Sequence, residues 1–470
     1  MKPGILVAIT CIIGLLIVLG FNQFSPKNKT TFILPTQWSA PGSLPDHIIL
    51  NLTDNPAGSQ NVTWRTDTSV KKGFAEIALA DAAPRFWRNG KQLTATSTLM
   101  DARAIEGAES ISNYHSVQFN DLLPDTTYAY RVGDGQIWSE WLQFRTASKE
   151  PKPFSFLYVG DAQNNILELW SRVLRSGYKK APDASFIIHA GDLVEHAHSE
   201  RQWHEWFTAG GWLHGMLPSV PAPGNHEYAG FTKEDKNNRK LAVQWRHQFT
   251  LPENGPKGQA ETAYYFDYQG ARFIVLNSNE MLQEQALWLD SLLQHNSQKW
   301  IIVTFHHPIY SGTRDRDYKE LRTLMKPLFD KYKVDLVLTG HDHTYTRGVS
   351  GRAASNVADG LNKRENGTVY VVSVSGGKMY GLKEKLWKEY DATYQRSAEN
   401  TQLFQVININ GNLLEYKSYT PTGEIYDAFD LQKDETGGGN KLKEYNLNNI
   451  KERNHKNTIP YKEPEKNRRA

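Results

Sequence analysis

The stretch VDLVLTGHDHTYTR, residues 334–347, decides the fold. A run of β-branched and leucine residues stops at Gly340, and His341 and His343 follow with Asp342 between them. Such a run reads as a strand buried on both faces. Alternate residues of an extended segment point to opposite faces, but a turn at a strand end can aim each imidazole at its own target. Other apolar segments end in the same way. FSFLYVGD delivers Asp161, with Ala162 and Gln163 behind it; ASFIIHAGD delivers Asp192; KWIIVTFHH delivers His306 and His307; and Gly224-Asn225-His226-Glu227 forms a fifth such end. In open α/β sheets ligands bind outside the carboxyl ends of the strands, so the five ends are expected to converge on one crevice. A glycine ahead of a ligand lets the backbone turn sharply.

The set holds two aspartates, one asparagine and three or four histidines, without sulfur. Mixed O/N ligation suits Zn²⁺, Mn²⁺ or Fe and suits Ca²⁺ poorly. These ligands exceed the needs of one four-coordinate ion, whereas two ions sharing a carboxylate would use them all. Two metals about 3.5–4 Å apart clamp the attacking and leaving oxygens of an in-line phosphoryl displacement. A lone Gly-Asp after a strand is often only a turn, and a lone His-x-His is often structural. The reading rests on five motifs in one order, each at a strand end.

The 470 residues suffice for two or three domains. The net charge is +3, and the tail from Asp434 alone carries nine Lys/Arg against six Asp/Glu. The rest is close to neutral, so no nucleic-acid partner is expected. The one cysteine, Cys11, excludes an intramolecular disulfide and a cysteine-ligated metal. It lies in GILVAITCIIGLLIVLGF, residues 4–21, whose length as a helix, about 27 Å, matches a bilayer core. Residues 1–21 read as a signal-anchor, with a cleaved signal peptide as the alternative; Cys11 itself reads as a small apolar residue in a membrane helix rather than a lipidation site. The body is therefore expected to be exported, membrane-anchored or released. The sequons at Asn28, Asn51, Asn61 and Asn366 bear on this only in a eukaryotic host.

Residues 22–44 are polar and proline-dotted and read as a linker. From 45 to 147 short strands alternate with turns, which suggests a β-sandwich. Residues 153–432 change to an α/β rhythm. Helices are expected at 165–178, 200–216, 280–296 and 318–332, with a hairpin over 263–278 around Gln269-Gly270. The strands after His343 look antiparallel in character. The charged, glycine-punctuated residues 433–470 are expected to be disordered.

LLPDTTYAYRVGDG followed by WSEWLQFRT resembles the closing strands of a fibronectin type III domain, which implies a tyrosine corner at Leu123 and Tyr128 and a core role for Trp64. Asp161, Asp192, GNHE, the His306 motif and GHDH in this order resemble the calcineurin-like metallophosphoesterase superfamily. The preceding sandwich, HHPIY and GHDHTYTR resemble purple acid phosphatases within it. The resemblance implies a multidomain protein: a fibronectin III-like β-sandwich, then a four-layer α/β metallophosphoesterase domain with two β-sheets flanked by helices. It implies that Asp161 and His343 bind a first metal, that Asp192 bridges, and that Asn225, His306 and His341 bind a second. His226 would be a catalytic acid or charge donor rather than a ligand, and the nucleophile a metal-bound hydroxide. His307, the variable position of the H-x-P-x-Y pattern, would face substrate or only pack.

Two departures stand out. Purple members carry a tyrosine three residues after the bridging aspartate, where this chain has Glu195; many others carry D-x-H at the first motif, where this chain has Gln163. Gln163, Glu195, His196 or water are left to complete the first metal. Without tyrosinate the protein is expected not to be purple, and Fe, Zn and Mn all remain open as the two divalent or mixed-valence ions. Arg314 and Arg316 are candidate substrate contacts; Arg239, Lys240, Arg246 and His247, in the insert 228–262, read first as solvated surface. The leading function is a phosphohydrolase of phosphate esters, monoesters favoured. The alternatives are a phosphodiesterase of nucleotide or sugar-phosphate diesters, and a surface adhesion protein with a degraded phosphatase body.

Overall fold

The computed structural model describes residues 38–105, 110–230, 238–313, 316–350, 364–365, 367–383, 387, 389–390, 392–434, 440–447 and 449–454. The apolar run 4–21, most of the 22–44 linker, Arg314 and the sequons at Asn28 and Asn366 lie outside them. Among the described residues no helix is long and apolar enough to cross a membrane.

The N-terminal strands are β1 (Asp46–Asn51), β2 (Gln60–Thr66), β3 (Phe74–Leu79), β4 (Lys91–Thr94), β5 (Thr96–Asp101), β6 (Ile111–Phe119), β7 (Thr127–Gly133) and β8 (Leu142–Arg145). One layer has the order β4-β3-β7-β8. The other holds β1-β2-β6-β5, and between the layers lie Val62, Trp64, Ile77, Val117, Tyr130 and Phe144. Trp64 is fully buried, and Tyr128 Oη accepts from the Leu123 amide at 2.8 Å, which closes the expected tyrosine corner.

The second half begins with β9 (Phe154–Val159), α1 (Ser171–Lys180), β10 (Ile187–His189), α2 (Glu200–Gly210), β11 (Ser219–Pro221) and the short α3 (Val243–Gln248). Next come β12 (Tyr264–Tyr268), β13 (Ala271–Val275), α4 (Leu282–Gln294), β14 (Trp300–Thr304), α5 (Lys319–Lys331) and β15 (Leu336–Thr339). The last strands are β16 (Tyr345–Ser350), β17 (Val369–Val372), β18 (Ala392–Ala398), β19 (Phe404–Asn410), β20 (Leu413–Tyr419), β21 (Ile425–Lys433) and β22 (Asn440–Glu444). Gln269 and Gly270, at φ 47° and 96°, make the expected hairpin turn between β12 and β13.

A seven-stranded sheet runs β12-β13-β14-β15-β17-β16-β18. It packs on the sheet containing β9 and β10 through Phe156, Phe186, Phe273, Leu338 and Val371. Helices α4 and α5 cover its other face through Leu289, Leu293, Leu321 and Met325. Trp170, Val173, Trp203 and Trp206, in and beside α1 and α2, join the core on the opposite side. The result is the expected four-layer arrangement.

Several expectations need correction. The strands after His343 are not all antiparallel, because β17 pairs parallel with β15 and antiparallel with β16. The tail 433–470 is not wholly disordered: Asn440–Glu444 pair with β21 and bury Leu442, and charged neighbours on both sides of that leucine hid the strand. The sequons at Asn51 and Asn61 are buried, their amides held by the carbonyls of Ser219 and Thr250, so neither side chain is presented as an acceptor. The sandwich is also continuous with the sheet that holds β9 and β10. β1 pairs parallel with β11 at Asn51 and Ser219, giving one sheet in the order β22-β21-β20-β19-β9-β10-β11-β1-β2-β6-β5, with Arg364–Glu365 beyond β22.

Near this junction sit buried histidines. His189 and His214 pack against Trp206, with centroids 5.3 and 4.1 Å away. Burial holds His189 and His47 well below the ordinary imidazole range and His214 at about 4. A folded-state value below the unfolded one, about 6.5, means that acid favours the unfolded chain. This stability is fully present above about pH 6.5 and is lost as pH falls toward 4. Thermal unfolding followed from pH 7 to 4 should show a falling Tm, and His214→Gln should make the fall shallower.

Candidate metal centre

The five motif ends meet where the two sheets face each other, and not in the crevice of a single sheet. Asp161, Asp192 and Asn225 leave β9, β10 and β11 of one sheet, while His306, His341 and His343 leave β14 and β15 of the other. Asp161, Asp192, His341 and His343 all adopt left-handed backbone, at φ 47°, 52°, 74° and 51°. A non-glycine residue there costs of order 1–3 kcal/mol and persists only when its surroundings hold it. Glu227 is one such support: its buried carboxylate accepts from the amides of Asp192 (2.9 Å), Leu193 (2.8 Å) and Gly224 (2.7 Å). A Cβ on Gly224 would lie 2.2 Å from Asp192 Oδ1, which explains why glycine opens GNHE.

His306 Nδ1 donates to the Ala190 carbonyl at 2.8 Å, leaving Nε2 bare. Around that Nε2 stand His341 Nδ1 at 3.0 Å, Asp192 Oδ2 at 3.1 Å and Asn225 Oδ1 at 3.2 Å. Ligand atoms about 2.0–2.2 Å from one cation lie about 3.0–3.4 Å from one another, so this donor set fits a metal. On the other side, His343 Nδ1 donates to the Lys378 carbonyl at 2.9 Å, and its Nε2 lies 3.8 Å from Asp161 Oδ1. Asp161, Asp192 and His306 form one potential ligand group, and His306, His307 and His341 another.

The electrostatics agree. Burial alone would lower His306, yet the neighbouring Asp192 and Asp161 lift it to about 9, which marks the spot as one that favours positive charge. Burial presses His343 to about 3, which keeps its imidazole neutral and able to ligate.

Other expected residues fall into place around this set. His226 Nδ1 donates to the Glu195 carbonyl at 2.7 Å, and its Nε2 stands 3.9 Å from Asp192 Oδ2. His307 stays beside the group, its Nδ1 meeting Ser278 Oγ at 2.8 Å and its ring packing on Tyr318 and His341. Arg316 Nη1 donates to the His341 carbonyl at 3.0 Å and lies 3.7 Å from Asp342 Oδ1. Asp342 Oδ2 accepts from the Gly312 amide at 2.8 Å, so the middle residue of His-x-His braces the His306 loop. Gln163 Nε2 lies 2.9 Å from His343 Nε2. Glu195 is instead held by Lys378 Nζ at 3.1 Å and Asn164 Nδ2 at 3.1 Å. His196 is exposed, and its amide donates to Gln202; His198 is buried against Gln244.

Beside His226 opens a cavity of about 430 Å³ lined by Glu195, His196, His198, His226, Tyr228 and Arg239. Of the cations suggested in the insert, Arg239 alone lines it, anchored on the Asn225 and Tyr228 carbonyls. Arg246 pairs with Glu261, His247 bonds the Val243 carbonyl beside Tyr114, and Lys240 is exposed. Sequence reasoning missed Lys378 and Tyr318. Tyr318, whose hydroxyl meets His341 Nε2, follows the His306 motif closely enough to be suspected. Lys378 lies six residues beyond β17 and had no local signal.

The family described as the purple acid phosphatase N-terminal domain matches residues 45–146, and calcineurin-like phosphoesterase matches 154–345. The chain is 28% identical to acid phosphatase type 7 of Danio rerio over 81% of this chain and 90% of that one. It is 23% identical to purple acid phosphatase 18 of Arabidopsis thaliana over 82% and 83% respectively. Its fold is similar to that of a purple acid phosphatase from yellow lupin (Lupinus luteus) seeds, with a TM-score of 0.67, 19% identity, and coverage of 84% of this chain and 75% of that one.

Proposed function

Since this chain belongs to the calcineurin-like phosphoesterases, carries the N-terminal domain of the purple acid phosphatases and is a metal-dependent phosphoric ester hydrolase, we propose that it prefers phosphomonoesters and acts beyond a membrane. The observation that carries the catalytic part is the convergence of His341, Asp192 and Asn225 ligand atoms within 3.2 Å of His306 Nε2.

Asp161, Asp192, His343, Asn225, His306 and His341 would hold two cations, whose chemistry when bound would be Lewis acidity toward phosphoryl oxygens and water. The residues of the chain do the rest. The Asp192 carboxylate fixes the His226 amide at 2.9 Å, and the Glu195 carbonyl fixes its Nδ1. Nε2 is thereby directed toward the substrate side, where it gives a proton to the departing oxygen. Arg239 on the cavity wall, bonded among the described residues to backbone carbonyls and not to a carboxylate, adds positive charge, which suits the dianion of a monoester better than a diester monoanion. His226→Ala should lower kcat by about 10²–10⁴ for an alkyl phosphate and by much less for a nitrophenyl ester, whose leaving group needs no proton. Equal losses on both would remove the acid role. A comparison of nitrophenyl phosphate with its bis-ester tests the substrate preference, and faster turnover of the bis-ester would reverse it.

The support for export and anchoring is the uncharged run at residues 4–21. Fractionation of cells expressing the full chain tests it: the account expects the protein in the membrane fraction and open to external protease, and a protease-protected soluble protein would overturn it.

A further inference from the structure

The side chain two residues after Asp161 occupies the place where many relatives of this fold present an imidazole, and here it is an amide. Gln163 is fully buried, and its backbone amide donates to the Asp192 carbonyl at 3.2 Å, which ties it to the bridging aspartate. Its Nε2 lies 2.9 Å from His343 Nε2, and its Oε1 is buried without a hydrogen-bond partner. A buried carbonyl oxygen without a hydrogen-bond partner is costly, so its presence beside two candidate ligands asks for an explanation.

His343 supplies one. Its Nδ1 donates to the Lys378 carbonyl, so its Nε2 is a bare acceptor and draws the amide NH₂. That contact alone sets which end of the Gln163 amide faces His343. The two ends of an amide have nearly the same shape, and a half-turn about the last side-chain bond puts Oε1 where Nε2 stands. The oxygen then lies about 2.9 Å from His343 Nε2, a spacing suited to two ligands of one cation.

The rival residues point elsewhere. The Glu195 carboxylate is committed to Lys378 and Asn164 and stands 4.0 Å from His226 Nδ1, on the leaving-group side. The His196 side chain is exposed and lines the cavity. We propose that Gln163 Oε1 is the additional ligand of the first metal, in place of the family's tyrosinate or histidine. This rests on the dinuclear reading above and completes it.

A neutral amide oxygen donates less charge than a phenolate, so the first site favours a hard divalent ion over Fe³⁺. Without tyrosinate the iron-loaded protein has no intense visible charge-transfer band.

The test is Mn²⁺ binding to the metal-stripped full chain, read by calorimetry and by electron paramagnetic resonance of the spin-coupled pair. Wild type should bind two ions. Gln163→Met keeps side-chain volume and removes the oxygen, and it should weaken one of the two sites at least 10-fold and diminish the coupled signal. Gln163→Glu supplies a charged oxygen at the same place and should bind the first ion at least as tightly as wild type. If Gln163→Met binds two ions with wild-type affinities and an unchanged spectrum, Gln163 is not a ligand, and the dinuclear reading stands without it. If wild type itself fails to bind two ions, the dinuclear reading falls and this inference with it.

Discussion

Asp192→Ala is expected to lower kcat/KM for phosphate esters by about 10³-fold or more, because the proposed shared ligand of a two-metal clamp is lost. The carboxylate is buried, with Oδ2 3.1 Å from His306 Nε2 and Oδ1 holding the His226 amide. On the proposed assignment its removal would leave Asn225, His306 and His341 for one cation, and Asp161 and His343 for the other, with no shared ligand. Asp192→Asn separates charge from scaffold, since it can still accept from His226 but cannot neutralise two cations. Both variants should lose activity to a similar degree. Thermal unfolding alongside the kinetics should show a folded protein in each case. An Asn variant retaining more than a tenth of wild-type kcat/KM would show that the shared charge is not what the reaction needs.

The second large effect is on stability. Arg347 ends the GHDHTYTR stretch, four residues beyond His343, and reaches from the seven-stranded sheet into the other one. Its Nε and Nη2 donate to the Asp427 carboxylate at 2.6 and 3.0 Å, and its Nη1 reaches Glu444 at 3.1 Å. Asp427 also accepts from the Tyr345 hydroxyl at 2.6 Å. Both members of the pair are nearly inaccessible, so removing one strands a buried charge, which costs about 3–5 kcal/mol. Arg347→Met should therefore lower the denaturant midpoint by that equivalent, and the double variant with Asp427→Asn should recover part of the loss. A single variant within 1 kcal/mol of wild type would mean that water reaches Asp427. The arginine thus secures β16, the strand that follows His343, although it touches none of the candidate metal ligands.

The ligands were legible because each is written locally. An apolar strand, a turn and a polar side chain occur within ten residues, and order along the chain did the rest. Trp64 and the Leu123–Tyr128 corner were legible for the same reason. The joining of the sandwich to the sheet that holds β9 and β10 was not, since it depends on a parallel pairing of Asn51 with Ser219, residues 168 positions apart. The β22 strand was hidden because Leu442 is the one apolar residue among Asn440–Glu444, and its charged neighbours find partners such as Arg347 for Glu444. The choice among Gln163, Glu195 and His196 was equally beyond the sequence. It turns on Lys378, more than 180 positions from Glu195, which engages that carboxylate and leaves the amide beside His343.

The central claim is that the facing strand ends hold two cations which hydrolyse phosphate esters. The most direct measurement is elemental analysis of the full chain as purified, paired with nitrophenyl phosphate hydrolysis before and after chelation and after return of Mn²⁺, Zn²⁺ or Fe²⁺. The account expects two equivalents of metal per chain, hydrolysis that disappears with the metal and returns with it, and neither in Asp192→Ala. A folded protein that retains no metal, or that hydrolyses the ester equally well after chelation, would contradict it.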